Sequence, residues 1–382
     1  MPDLAGFEPP PYPYDRLDRL KPLAAGHEGG LVDLSIGTPC DPPPPEVVAA
    51  LSSSGAERGY PSSVGNPAFR EAAAGWMRRR LGVDVPIADI AVCIGTKELV
   101  TAMPQWLHLR DPSRDTVLCP AVSYPSYEMG ATLAGCRAVA VDVEGDGIAG
   151  GALDALDADD TARALCLWVN SPGNPTGALT DLGAAAAWGR AHGVPVLSDE
   201  CYTEFTWADR PRTILEHGAE GVLAVHSLSK RSNLAGLRAG FYAGDADLVR
   251  YLSEVRKHAG AMVPGPVQAA AVVAFGDDVH VDAQRERYSE RLTFFRDVLA
   301  GVGAVADPPA GSFYLWAAAP GGDAWGLTAW LAKWGGVLVA PGDLYGPAGE
   351  GYVRVATVQT IDRLRLVADR LRQAPKAGPD PG

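Results

Sequence analysis

The stretch VLAVHSLSKRSNLAGLRAG, residues 222–240, decides how the rest of the chain is read. Its opening VLAV is a short uninterrupted apolar run, the mark of a strand buried on both faces, and just beyond the end of that strand stands Lys230. Similar short apolar runs occur at 116–119, 138–143, 164–169, 194–198 and 239–243, with helical stretches at 66–81, 97–109 and 179–192 between them. That alternation predicts an α/β fold with a mainly parallel sheet wrapped by helices on both faces. In such sheets ligands sit at the carboxyl ends of the strands.

Beyond a long helix near 281–300 the grammar changes to SFYLWAA, VLVAP and YVRVA, separated by helices at about 325–334 and 360–373. This reads as a smaller α+β domain. Residues 1–45, rich in Pro and Gly, read as an extended arm that completes it. The expected division is an arm over 1–45, a large ligand-binding domain over 46–285 and a small domain over 286–382.

A chain of 382 residues, 47% of them apolar, has core enough for two domains. Its net charge of -13 and lack of clustered Lys and Arg speak against a nucleic-acid partner. Any anionic substrate must therefore be captured by local positive groups. The N-terminus has no basic or apolar leader pattern and no run is long and apolar enough to span a bilayer, so a cytoplasmic protein without a membrane partner is expected. The six cysteines (Cys40, Cys93, Cys119, Cys136, Cys166, Cys201) form no CxxC pair and no metal-ligand spacing, which predicts reduced thiols and no metal.

Three segments place reactive side chains just after buried strands: VNSPGNPTG (169–177), VLSDECY (196–202) and HSLSKRSNLAGLRAG (226–240). Together they fit a site for pyridoxal 5′-phosphate. The pyridine nitrogen of that cofactor needs a carboxylate to hold its proton, and Asp199 is the candidate, although an Asp after a strand also serves as a helix N-cap. Its phenolate oxygen needs donors, which the Tyr202 hydroxyl and the Asn174 amide can supply, and Asn-Pro is equally a turn opener. Lys230 must lose its proton to attack an aldehyde, so desolvation or nearby positive charge should depress its pKa. The turn Gly95-Thr96-Lys97 opens a helix whose amides suit a phosphate, with Ser227, Ser229 and Arg238 closing the other side. Tyr124, in AVSYPSY, is placed to stack on the ring or to pack in a turn. Arg354, inside the apolar strand YVRVA, calls for a hidden anion, either a substrate carboxylate or a structural acid.

With SDECY, SLSKRSNLAGLRAG, NSPGNPTG, GSFYLW and GYVRVA in this order over nearly the whole length, the chain resembles the class I/II aminotransferases of fold type I. The resemblance implies a Schiff base between Lys230 and pyridoxal 5′-phosphate, Asp199 at the pyridine nitrogen, Tyr202 and Asn174 at the phenolate oxygen, and Tyr124 on the ring. It assigns the Gly95–Lys97 turn, Ser227, Ser229 and Arg238 to the phosphate, and Arg354, with Gly37 and Asn174, to the substrate. Tyr60, in RGYPSSVGNPAFR, resembles the tyrosine that reaches the neighbouring subunit's phosphate, which implies a homodimer with shared sites. A ping-pong exchange between an amino acid, glutamate, and a keto acid follows, with the freed Lys230 amine carrying the proton.

Within the family, IGTKELV (94–100), VRKHAGAMVPGPVQAA (255–270) and LVAPGDLYGPAGEGYVRVA (338–356) look most like actinobacterial N-succinyldiaminopimelate aminotransferase, which implies N-succinyl-2-amino-6-oxopimelate and lysine biosynthesis. Thr206-Trp207, Ser312-Phe313 and the segment after Arg354 depart from that pattern at positions expected near the substrate mouth. The alternative is a specialised-metabolism enzyme on the same fold acting on another amino acid, by transamination or by cyclisation, elimination or replacement. Ser227-x-x-Lys230 also matches the S-x-x-K of acyl hydrolases, but the K-T-G element they require is missing. A non-catalytic module would show damage at the positions named above, and none is damaged. Of two further clusters, Asp277, Asp278, His280 and Asp282 read as a solvated helix start, and Arg256-Lys257-His258 as a helix C-cap or a distal-carboxylate contact.

Overall fold

The computed structural model describes residues 6–375. Its centre is a seven-stranded sheet built from β2 (Ile90–Cys93), β3 (Thr116–Pro120), β4 (Arg137–Val141), β5 (Ala164–Asn170), β6 (Val196–Asp199), β7 (Val222–Ser227) and β8 (Gly240–Gly244), and β1 is the separate segment Val32–Asp33. Across the sheet the order is β2-β8-β7-β6-β5-β3-β4, parallel throughout except at β8, which runs antiparallel to both neighbours. Along β7, Val222 and Ala224 face one apolar layer with Trp76, Phe241 and Phe275, while Leu223 and Val225 face another with Met103, Trp106 and Trp168. Burial on both faces is why this strand reads as an unbroken apolar run.

The register levels the strand ends that matter: Asn170 lies opposite Asp199, Asp199 opposite Val225 and Ser227 opposite Gly240. Their side chains therefore emerge along one edge.

The small sheet has the order β12-β13-β10-β9, all antiparallel, from β9 (Val305–Ala306), β10 (Tyr314–Ala318), β12 (Ala340–Pro341) and β13 (Tyr352–Ala356). The N-terminal β1 pairs in parallel with β11 (Val337–Leu338) beside it. The helix Val279–Ala300 runs through residue 285, where the sequence placed a boundary. Its Tyr288 packs with Phe205 and Phe313, and its Phe295 and Leu299 pack in the small domain's core.

The arm departs from the extended form expected of it. Pro13–Leu20 is a 3₁₀ helix, followed by the α-helix Lys21–Ala25. Tyr14, Leu17 and Leu20 recur every third residue, the period of a 3₁₀ turn, and this stripe is buried with Leu338, Leu344 and Tyr345. Burial of one face, about 25 cal/mol per Å² of apolar surface, outweighs the proline bias toward extended chain. Among the described residues no helix is long and apolar enough to cross a membrane.

Candidate active site

A cavity of about 460 Å³ opens at the carboxyl ends of β5, β6 and β7. Of the residues singled out from sequence, Gly37, Thr96, Lys97, Tyr124, Asn174, Asp199, Tyr202, Ser227, Ser229, Lys230, Arg238 and Arg354 all line it. Gly95 lies directly behind Arg238, since a Cβ there would collide with the Arg238 guanidinium. Tyr60 stands apart: it is 99% exposed and reaches no part of its own chain's cavity.

Lys230 is placed by a short helix, Leu228–Arg231, capped by the Ser227 hydroxyl, which accepts from the Ser229 amide at 3.1 Å. Its Nζ donates to the Gly37 carbonyl and lies 5.7 Å from the centre of the Phe313 ring. Burial pushes its pKa down to about 8, with Arg354 and Arg238 pushing the same way and Cys201 and Asp199 opposing. An amine in that range is substantially uncharged at mildly alkaline pH and nucleophilic.

Asp199 ends β6 and is 8% exposed. One carboxylate oxygen accepts from the Tyr127 hydroxyl at 3.1 Å and the other from the Cys201 amide at 3.2 Å. The second bond closes a local turn and caps no helix: the next one, the 3₁₀ turn Thr203–Phe205, starts after Tyr202 without a side-chain cap, so the N-cap reading of Asp199 is not met and its carboxylate faces the cavity. Burial raises its pKa, against hydrogen bonds from Cys201 and Tyr127 and the Lys230 charge. A cationic ring nitrogen beside it would relieve that burial penalty.

The Tyr202 hydroxyl lies 2.9 Å from that of Tyr314. Asn174 receives an N–H from Arg354 on its Oδ1 at 2.8 Å, and its own backbone N–H bonds Asn170 Oδ1 at 2.8 Å. At the other end of the cavity, Gly95 adopts φ 71° and ψ 156° and starts the helix Thr96–Arg110 with no side-chain cap. The first amides of that helix are thus left for an external acceptor, with Arg238 held over them by its bond to the Ala235 carbonyl at 2.9 Å.

Lys97, Arg238 and Arg354 find tyrosine, carbonyl and amide oxygens, not carboxylates, among the described residues. Arg354 is the extreme case. It is 2% exposed, its Nη2 donates to the Ser35 carbonyl, its Nε has no partner, and Tyr314, Tyr345 and Tyr14 surround it at 4.4, 4.9 and 5.8 Å. A buried guanidinium with an orphaned donor is costly unless an anion arrives. Of the two partners the sequence left open, no structural acid meets Arg354 among the described residues.

The donor set suits pyridoxal 5′-phosphate: amides and a guanidinium for a phosphate, a buried carboxylate for a ring nitrogen, a hydroxyl and an amide for a ring oxygen, and a depressed lysine for an aldehyde. Sequence reading passed over several wall residues, namely Tyr12 and Tyr14 from the arm, Tyr127, Asn170, Cys201 and Tyr314. Tyr127 carried a signal, standing three residues after Tyr124 at a helix start. Asn170 carried another, as the last residue of its strand.

Other expectations fall elsewhere. Thr206, Trp207, Ser312 and Phe313 do not line the cavity; Trp207 Nε1 bonds the Ser312 carbonyl at 2.7 Å, and these residues knit the two sheets together. Arg256 is fully buried and makes a two-pronged bond to Glu98 at 2.8 and 3.2 Å, so it contacts neither a substrate nor solvent. Glu98 also accepts from the Ile94 amide at 3.2 Å, which anchors the turn at Gly95. Asp278 and Asp282 pair with Arg231, Arg79 and Arg80, and His280 bridges Asp277 and Ser232.

Comparison with known proteins agrees with this chemistry. The family model for aminotransferase class I and II matches residues 30–371. The chain is 42% identical over 372 residues to the 4-dedimethylamino-4-oxo-anhydrotetracycline transaminase OxyQ of Streptomyces rimosus, covering 95% of this chain and 99% of that one. It is also 42% identical over 371 residues to a probable aminotransferase of Mycobacterium tuberculosis, covering 95% and 85%. Among solved structures, a probable N-succinyldiaminopimelate aminotransferase from Thermus thermophilus superposes with a TM-score of 0.84 at 31% identity, covering 95% of this chain and all of that one. A match along so much of the sequence, joined to a cavity built for the same cofactor, makes this chain a member of the class I and II aminotransferases, which depend on pyridoxal 5′-phosphate.

Proposed function

We propose that this aminotransferase takes an α-amino acid, glutamate, as donor, with the α-carboxylate on Arg354 and the amino nitrogen beside Lys230. The observation that carries the reading is the buried Arg354, which lines the cavity with Lys230 and pairs with no acid among the described residues. Pyridoxal 5′-phosphate, when bound, supplies an aldehyde to hold the amino nitrogen and a ring to accept the electron pair released at the α-carbon.

The chain's residues do the rest. Backbone amides from Thr96 onward, with Ser227, Ser229 and Arg238, hold the phosphate. Asp199 keeps the ring nitrogen protonated, and Tyr127 and the Cys201 amide keep Asp199 ionised and aimed. Tyr202 and Asn174 donate to the ring oxygen, and Tyr124 covers the ring face. Arg354, with Asn174 and Gly37 beside it, orients the substrate so that its α-hydrogen is presented to Lys230 Nζ, which takes that proton; its return would be to the carbon of the cofactor's aldehyde, on the far side of the bridging nitrogen.

Tyr60 belongs to the same proposal. Its exposure and its distance from its own cavity support a role in the phosphate site of a second copy, and we read the protein as a homodimer with shared sites. We read residues 46–285 as the cofactor-binding domain, and 1–45 with 286–382 as the domain that brings Arg354 to it. The acceptor has two readings. The Thermus neighbour supports N-succinyl-2-amino-6-oxopimelate. The Streptomyces relative, at higher identity, supports a keto group on a specialised metabolite, still by transamination.

The test is twofold. Borohydride treatment of the protein loaded with pyridoxal phosphate should fix a pyridoxyl group on Lys230, located by peptide mass. Glutamate should then convert the cofactor's absorption band to that of pyridoxamine phosphate. Labelling at another lysine, or a band that glutamate leaves unchanged while other amino acids convert it, defeats the residue or the donor assignment respectively.

A further inference from the structure

Tyr314 touches both ends of the chemistry proposed above. It opens β10 and is 1% exposed. Its hydroxyl lies 2.9 Å from that of Tyr202, and its ring lies 4.4 Å from the Arg354 guanidinium carbon. Gly37 leaves it room, since a Cβ at that position would collide with the Tyr314 hydroxyl, and the Gly37 carbonyl in turn accepts from Lys230. The Cys201 thiol, a weak hydrogen-bonding group, also stands beside the Tyr202 hydroxyl, so among the described residues Tyr314 is its one strong partner.

We infer that Tyr314 is a positioning residue that aims the Tyr202 hydroxyl and transmits carboxylate capture at Arg354 to the cofactor's oxygen. The inference rests on the proposed roles of Tyr202 and Arg354. A phenol carries one proton. If Tyr202 directs its proton at the cofactor, the 2.9 Å contact is filled by the proton of Tyr314, and Tyr202 is fixed as a donor toward the cavity. Two hydroxyls in series polarise each other, so the outer one donates more strongly than it would alone. The guanidinium over the Tyr314 ring draws electron density from it and strengthens its O–H as a donor. When a substrate carboxylate neutralises Arg354 that pull weakens, and the change reaches the cofactor's oxygen through Tyr314 and Tyr202.

The test reads the pH midpoint of the bound cofactor's absorption change, with and without propanoate, a carboxylate that has no amino group. Tyr202→Phe should raise the midpoint. Tyr314→Phe should raise it by less, about half a pH unit. It should also lose at least half of the shift that propanoate produces in the wild type, while cofactor affinity by equilibrium dialysis falls only a few-fold. Gly37→Ala keeps the ring but pushes the hydroxyl aside, so it should reproduce the midpoint change even if Tyr314→Phe folds poorly. A cofactor-loaded Tyr314→Phe with the wild-type midpoint and propanoate response, beside a shifted Tyr202→Phe, overturns the role of Tyr314 alone. An unshifted midpoint in Gly37→Ala counts against it equally. An unshifted Tyr202→Phe overturns the Tyr202 assignment and this inference with it.

Discussion

Replacing Arg354 by Met separates capture of the substrate carboxylate from everything else the cavity does. Methionine follows much of the same path between the Tyr314 and Tyr345 rings but carries no charge and no donors. The side chain lost bonds Asn174 at 2.8 Å and presents an unused Nε, so a bound carboxylate would meet a desolvated, hydrogen-bonded charge. Removing one partner of such a pair costs about 2–5 kcal/mol, or about 30- to 5,000-fold in kcat/KM for glutamate. A primary amine without a carboxylate should lose far less than glutamate, only what the altered Lys230 titration costs. Stability should move the other way: the apoprotein holds an uncompensated guanidinium, and replacing it with an apolar side chain should leave the melting temperature unchanged or raised. Arg354 also helps hold the Lys230 pKa down, so the variant's Lys230 should titrate above about 8. Steady-state kinetics with both amines and thermal melts of the apoprotein decide the matter. Equal losses for the two amines, or a large fall in apoprotein stability, would refute the carboxylate role.

Lys230 sets a pH dependence of its own. Its folded pKa of about 8 lies below its ordinary 10.5, so between those values the unfolded chain binds the extra proton; apoprotein stability should rise with pH across that window and carry the full burial penalty below pH 8. By the same titration, the rate of cofactor capture in stopped-flow absorbance should climb about tenfold per pH unit below 8 and level off above it, whereas a flat profile would contradict a depressed amine. Gly95→Ala places a Cβ against Arg238 in a glycine-only conformation, and should weaken cofactor binding about tenfold or more by equilibrium dialysis with little change in fold. Glu204→Leu strands the buried Arg231, which bonds it at 3.0 Å, and breaks the 2.7 Å bond from Trp76; urea unfolding should show a loss of about 3 kcal/mol, and a neutral result would mean that Asp278 alone satisfies Arg231.

What the sequence makes legible follows from locality. Lys230 and Asn174 follow a buried strand within a few residues and Asp199 ends one, so the strand–turn grammar that fixes the sheet also marks the edge on which they emerge. Gly95 and Arg354 are readable for a different reason, because a glycine before a helix and an arginine inside an apolar strand are locally anomalous. What stays hidden depends on segments far apart in the chain meeting in space. The helix-end reading is right about where Arg256, Lys257 and His258 stand, in the last turn of the helix Ala246–His258, but nothing near Arg256 says that its buried guanidinium will find Glu98. Tyr314 reads as one more aromatic strand residue until its hydroxyl is seen beside Tyr202. The arm's prolines suggest extension, and only the three-residue spacing of Tyr14, Leu17 and Leu20 hints at the turns observed. Tyr60 marks another boundary of this kind, since a single chain gives its side chain nothing to touch.

The bond from Arg354 to Asn174 Oδ1 fixes more than a distance. It fixes which way round the amide sits, with its carbonyl end toward Arg354 and its NH2 end left over. Asn174 is thus a polarity lock, and a single-atom change would jam it. Aspartate at this position would keep the shape but place a resident anion on Arg354 and present an acceptor where a donor stood. The port would then hold an internal competitor for the incoming carboxylate, and Asn174→Asp would inhibit itself with no visible change in structure.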